Sequence, residues 1–140
     1  MTVLQPPGWP RPRGYANGVA VDGGATLVFV AGQIGWAPDG SFPSADLVGQ
    51  ARVALANALA VLAEAGGRPE HVVRMTWYVV DRADYLARSA EIGAAYRDLM
   101  GRVYPAMSAV EVSALMEAEA KVEIEITAVV PRDGGSPAAG

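Results

Sequence analysis

The chain reads as an α+β domain, and three observations carry that reading. Residues 121–128 alternate polar and apolar with period two, residues 26–31 (TLVFVA) form an uninterrupted apolar run, and two longer segments between them repeat apolar residues at spacings of three and four. A period of two belongs to strands and one of 3.6 to helices.

Taken in order, residues 1–14 hold four prolines and are expected to form an extended arm. Residues 15–22 predict a short strand closed by a turn at Gly23-Gly24. The apolar run 26–31 predicts a strand buried on both faces. It leaves through Gly32-Gln33-Ile34-Gly35-Trp36 into a loop, with a turn at Ala37-Pro38-Asp39-Gly40. Residues 44–65 give the strongest helix. Leu47, Ala51, Leu55, Ala58, Leu59 and Leu62 form its stripe, Ser44 its N-cap and Gly66-Gly67 its stop. Residues 72–80 predict a strand with Arg74, Thr76 and Tyr78 on one side and Val73, Met75, Trp77 and Val79 on the other. Asp81 caps a second helix over 82–100, with Asp84 in its first turn and Gly101 at its end.

Two strands close the chain. In the first, Ser108, Val110 and Val112 share one side, and Met107, Ala109, Glu111 and Ser113 the other. In the second, Val122, Ile124, Ile126 and Ala128 make a core face opposed by Lys121, Glu123, Glu125 and Thr127. Met107 is expected on the carboxylate side. The resulting order, β-β-α-β-α-β-β, is a mixed sheet with two helices on one face. One domain is expected over 15–131, with a disordered tail at 132–140.

A chain of 140 residues, 51% hydrophobic and 19% charged, is long enough for one well-buried core. No apolar run approaches the roughly 20 residues of a membrane span, and the N-terminus lacks a signal-peptide pattern. With no cysteine there is no disulfide framework, and a cytoplasmic protein is expected. A net charge of −4 without a Lys/Arg cluster argues against nucleic-acid binding. The sheet face that no helix covers is half polar and half apolar, which predicts a closed homo-oligomer.

The segments Ala31-Gly32-Gln33-Ile34, Tyr104-Pro105-Ala106, Ser108-Ala109-Val110-Glu111-Val112 and Val122-Glu123-Ile124-Glu125, in this order of elements, resemble the RidA/YjgF family. The resemblance runs from about residue 15 to 130. It implies a chorismate-mutase-like fold and a homotrimer with sites in clefts between subunits. It also implies hydrolysis of reactive enamines or imines to ketoacids and ammonia, without metal or cofactor. Some members carry an endoribonuclease label. Tyr15 matches the family's N-terminal site tyrosine, and Glu123 its site glutamate. Three positions depart from the pattern. Met107 stands where deaminase members have the arginine that grips the substrate carboxylate, Ala31 replaces a serine, and Gly93 replaces an asparagine. The chain thus resembles arginine-lacking branches of the family, for which 2-iminoacids are poor candidate substrates. Robust turnover of such substrates would mean that another cation replaces the arginine, with Arg102 or Arg74 the first to examine.

Imine hydrolysis needs a water brought to an electrophilic carbon and a proton delivered to the leaving nitrogen, which a carboxylate and a phenol can manage. Glu123 and Tyr15 are therefore the expected catalytic pair. Met107, Ala31, Gly32, Gln33, Trp36, Ala109 and Gly93 are expected around the substrate. The bland alternative is a salt-bridged layer of Glu123, Glu125, Glu111, Lys121 and Arg74 inside the oligomer; it is preferred for all but Glu123. His71, the only histidine, has no second ligand for a metal. Three functions follow: a cofactor-free hydrolase or deaminase, a non-catalytic trimer binding a small ligand or partner, and, least favoured, a ribonuclease.

Overall fold

The computed structural model describes residues 1–132; the expected tail lies outside them from residue 133 onward. The main sheet has four strands: β3 (Ala25–Ile34), β4 (Val72–Val79), β5 (Ala106–Glu111) and β6 (Val122–Pro131), in the order β3-β6-β4-β5. The β3–β6 and β6–β4 pairs are antiparallel, and the β4–β5 pair is parallel. The first expected strand does not join this sheet. Instead β2 (Gly18–Ala20) pairs with β1 (Thr2–Leu4), a strand inside the proline-rich arm, so the arm doubles back on itself. Ala16 then docks the arm beside β5, where its N–H donates to the Pro105 carbonyl at 2.9 Å.

Strand β6 is central, and its alternation is realised residue by residue. Val122, Ile124, Ile126, Ala128 and Val130 are buried, with half-buried residues between them. Helix α1 (Leu47–Ala63) covers this face, burying Leu47, Ala51, Leu55, Ala58 and Leu62 against it. Its N-cap is Asp46, not Ser44. The Asp46 carboxylate accepts the Gly49 N–H at 2.7 Å, and Ser44 accepts the Asp46 N–H one step earlier. The expected second helix is two: α2 (Arg82–Ala87) and α3 (Ser89–Met100), broken at Arg88. Asp81 caps α2 as expected, accepting the Asp84 N–H at 3.0 Å.

Strand β3 is not buried on both faces within one chain. Val30 and Ile34 are core, but Leu27 is 54% exposed and Phe29 71%. No helix among the described residues is long and apolar enough to cross a membrane.

Candidate functional site

The two sheet faces hold different chemistry. On the open face, cross-strand pairing sets Glu125 beside Thr76 and Glu123 beside Tyr78, with Ser108 and Val110 on the far side of Thr76 and Tyr78. Facing side chains on adjacent strands stand close enough to interact directly. The Tyr78 hydroxyl donates to Glu125 Oε1 at 2.5 Å. That bond is the main cause of an upward shift of the Tyr78 phenol, with burial and the Glu125 and Glu123 charges adding to it. A depression of about 350 Å³ opens beside this pair, with Phe29, Ala31, Arg74 and Thr76 on its walls. Within one chain, among the described residues, no ion pair joins Glu123, Glu125, Glu111, Lys121 or Arg74.

Glu123 folds across β3. A bulge between Val30 and Gln33 interrupts the β3–β6 ladder, and Gly32 lies within it. A Cβ at Gly32 would overlap the Glu123 carboxylate, so the glycine makes room for that side chain. Gln33 pairs with Ile124 and sends its amide to the Ala31 carbonyl at 3.1 Å. Ala31, Gly32 and Gln33 thus lie along β3 beside β6, where Glu123 reaches over Gly32.

Met107 and Ala109 do not join them. In the parallel pairing Met107 faces Met75 and Ala109 faces Trp77, which puts both on the helix side of the sheet. Glu111 shares that side. Its carboxylate accepts the Arg82 N–H at 2.7 Å, at the start of α2. The alternation along β5 holds, but its docking beside β4 turns Met107, Ala109 and Glu111 to the helix side instead of the carboxylate side.

Met107 instead lines a cleft of about 410 Å³ between β4, β5, α3 and the arm, together with Gly93, Trp77, Tyr96, Arg97 and Tyr104. Arg13 and Gly14 close it from the arm, next in sequence to Tyr15, which is 42% exposed. The Tyr96 and Tyr104 rings lie nearly parallel, 10° apart with centroids at 6.0 Å. The Tyr96 hydroxyl donates to the Val103 carbonyl, and burial pushes its phenol up. The cations of this cleft are Arg97 and Arg13; Arg74 opens on the other face. Within one chain Glu123 and Met107 thus lie on opposite sides of the sheet.

Trp36 sits apart from both. It leans on Phe42 at 6.3 Å and borders a shallow groove with Gln33 and Asn57. The Asn57 amide donates to the Ile34 and Trp36 carbonyls at 3.0 and 2.9 Å, pinning the loop after β3. Gln50, buried in α1, was not singled out from sequence. Its amide donates to the Glu119 carbonyl at 3.0 Å and its carbonyl accepts the Lys121 N–H at 2.7 Å, tying the start of β6 to the helix. His71 is buried; its Nδ1 accepts the Arg68 N–H at 2.9 Å, and burial lowers its pKa. No group of three or more His, Asp or Glu among the described residues is placed to hold a metal.

The chain as a whole is similar to known proteins. The family model described as Endoribonuclease L-PSP matches residues 11–130. The protein TdcF of Escherichia coli, provisionally named a reactive intermediate deaminase, is 33% identical over 115 residues, covering 82% of this chain and 85% of TdcF. The structure of E. coli TdcF with bound serine superposes with a TM-score of 0.64 at 32% identity, covering 92% of this chain and 98% of that one. The Rid protein YyfB from Yersinia pestis, described as of unknown function, reaches a TM-score of 0.76 at 34% identity over 92% of this chain and 98% of its own. A family match across nearly all the described residues, on a sheet of the same fold, places this chain in the RidA/YjgF family.

Proposed function

We propose that the protein is a cofactor-free hydrolase of a reactive enamine, imine or related unstable small metabolite, acting in the cytoplasm as a homotrimer. The observation that carries this reading is the Glu123 carboxylate laid over Gly32, a position kept clear by the absence of a Cβ. In the reaction, water adds to the imine carbon while Glu123 takes its proton. The nitrogen is protonated, and the carbinolamine collapses to a carbonyl compound and ammonia. Tyr15 is the candidate donor to the nitrogen.

The opposite placement of Glu123 and Met107 favours a site completed by a second copy, in which the open face of one chain meets the cleft of another. The exposed Leu27 and Phe29 offer apolar surface for that contact. The relationship to TdcF, whose structure holds serine, supports a small-molecule ligand. Met107 offers no guanidinium fork, so iminoacids from serine or threonine are poor substrates. A second reading, a trimer that binds a ligand without turnover, is favoured by the same loss of the arginine.

Glu123→Gln tests the proposal. It preserves size and removes basicity, so hydrolysis of a generated enamine, followed by ketoacid release, should fall by about 10²–10⁴-fold. Full turnover in the variant would show that Glu123 is not the catalyst.

A further inference from the structure

We infer that the Met107 cleft binds a flat, conjugated or aromatic carboxylate whose charge is held by Arg97, a residue outside the family's site pattern as read above. The inference rests on the reading that this cleft takes the substrate, and it names the substrate's class.

Three observations converge. The first is a displaced cation. Met107 supplies no charge, but Arg97 lines the same cleft from α3. Four residues earlier stands Gly93, and Arg97 Nη1 lies 3.3 Å from where a Cβ of residue 93 would be. Residues four apart share one helix face. The bare Gly93 backbone therefore gives the guanidinium its place, where a larger side chain would crowd it. Two departures from the family pattern, Met107 and Gly93, are in this way linked by one cation.

The second is that this cation is unspent. Among the described residues no carboxylate lies within 4.0 Å of Arg97, whereas Arg52, Arg68 and Arg88 are all paired. Arg13 adds a second positive charge at the same cleft. An anion entering here meets no fixed negative partner that it must displace.

The third is the wall. The near-parallel Tyr96–Tyr104 pair, Trp77 and Met107 present flat and polarisable surface. Thioether and ring contacts suit an aromatic guest. The Trp77 indole N–H is buried without a partner among the described residues, a donor that a bound acceptor could satisfy after a small shift. A volume of about 410 Å³ falls within the roughly 300–1,000 Å³ usual for ligand sites. A three-carbon acid would leave most of it unfilled. The carboxylate of the ligand sits at Arg97, remote from the carbon that is hydrolysed, rather than next to it as in a 2-iminoacid.

Binding is tested without turnover, by titration calorimetry with trans-cinnamate as probe, trans-cinnamamide as the uncharged control and pyruvate as the small control. Native protein should bind cinnamate at least tenfold tighter than either control. Arg97→Gln should weaken cinnamate by about ten- to a hundredfold, the worth of a charge-assisted bond, and leave cinnamamide unchanged. Gly93→Asn, which crowds Arg97 without removing it, should weaken cinnamate in the same direction. Arg97 is exposed, and matching thermal melts will show that its variant folds. Equal binding of cinnamate and cinnamamide to native protein, or an Arg97→Gln variant that binds cinnamate as tightly as native, would overturn the inference. Loss of cinnamate binding in Arg97→Gln, combined with undiminished turnover in Glu123→Gln, would leave the anion site standing and remove the catalytic reading alone.

Discussion

Two glycines three residues apart, Gly32 and Gly35, should respond to the same substitution in opposite ways. At Gly32 an added methyl meets the Oε2, Cδ and Cγ atoms of Glu123, the free end of a flexible side chain. The carboxylate can swing away, so Gly32→Ala should fold with a stability change under about 1 kcal/mol, within the range of substitutions that break no packed contact. What it cannot do is leave the carboxylate in place. A displacement of about 1 Å at a reacting group can cost on the order of 10²-fold, so turnover should fall about a hundredfold. At Gly35 the added methyl would stand 2.7 Å from the Gln50 Cα and carbonyl oxygen, which are helix backbone and cannot turn aside. Overpacking of that kind costs about 1–3 kcal/mol. For a domain of this size each kcal/mol moves the melting temperature by about 3–5 °C. Gly35→Ala should therefore melt roughly 3–15 °C lower. The assays are thermal unfolding and ketoacid release from a generated enamine. If Gly32→Ala turns over like the native protein, the position of Glu123 does not matter and the catalytic assignment fails. If Gly32→Ala melts as low as Gly35→Ala, the distinction between a yielding side chain and a rigid backbone is wrong.

Other outcomes follow from features already described. Phe29→Glu, at the most exposed apolar residue of β3, should leave the fold intact and convert a trimer to monomers in light scattering; a native monomer at micromolar concentration would refute the assembly. Met107→Arg should raise deamination of 2-aminoacrylate from a very low native level, by up to about ten- to a hundredfold, while staying below typical family rates because Ala31 and Gly93 remain. Robust native turnover of that compound would contradict it. The lowered pKa of His71 means that the unfolded chain takes up a proton the folded chain resists. Its contribution should be complete above about pH 6.5 and should decline as the pH falls below that value. Thermal melts between pH 8 and 5 should show this slope, and His71→Gln should flatten it.

Much of the fold was legible because the relevant signals are local. The alternation in β6, the stripe of α1 and the Asp81 cap each depend on residues within one or two turns of one another. What failed depends on docking. Alternation along β5 separates Met107 from Ser108, but only the parallel pairing with β4 decides that Met107 meets Met75 and not the carboxylates. The break at Arg88 carries no proline or glycine to announce it. Arg88 pairs there with Asp84 at 2.8 Å and Glu91 at 3.8 Å, contacts that read equally well as ordinary helix pairs. Arg97 looked like any surface cation on a helix. The signal that could have found it is the small residue one turn before it, together with the lost charge at Met107. Gln50 was hidden for a similar reason: a polar residue next to the stripe is expected to face solvent, and only the fold reveals the backbone groups it satisfies.

The strand order has a consequence for how the protein is made. Strands β3 and β4 do not touch; each pairs with β6, the last strand of the described chain. Until β6 has left the ribosome, the sheet lacks its middle, and β3 with α1 has no strand to join it to β4 and β5. Such distant pairings are slow to find, since long stretches of chain must be ordered before any contact rewards them. A growing chain released before residue 122 would therefore expose Val30, Met75 and Trp77 together, the kind of surface on which chaperones act and aggregates begin.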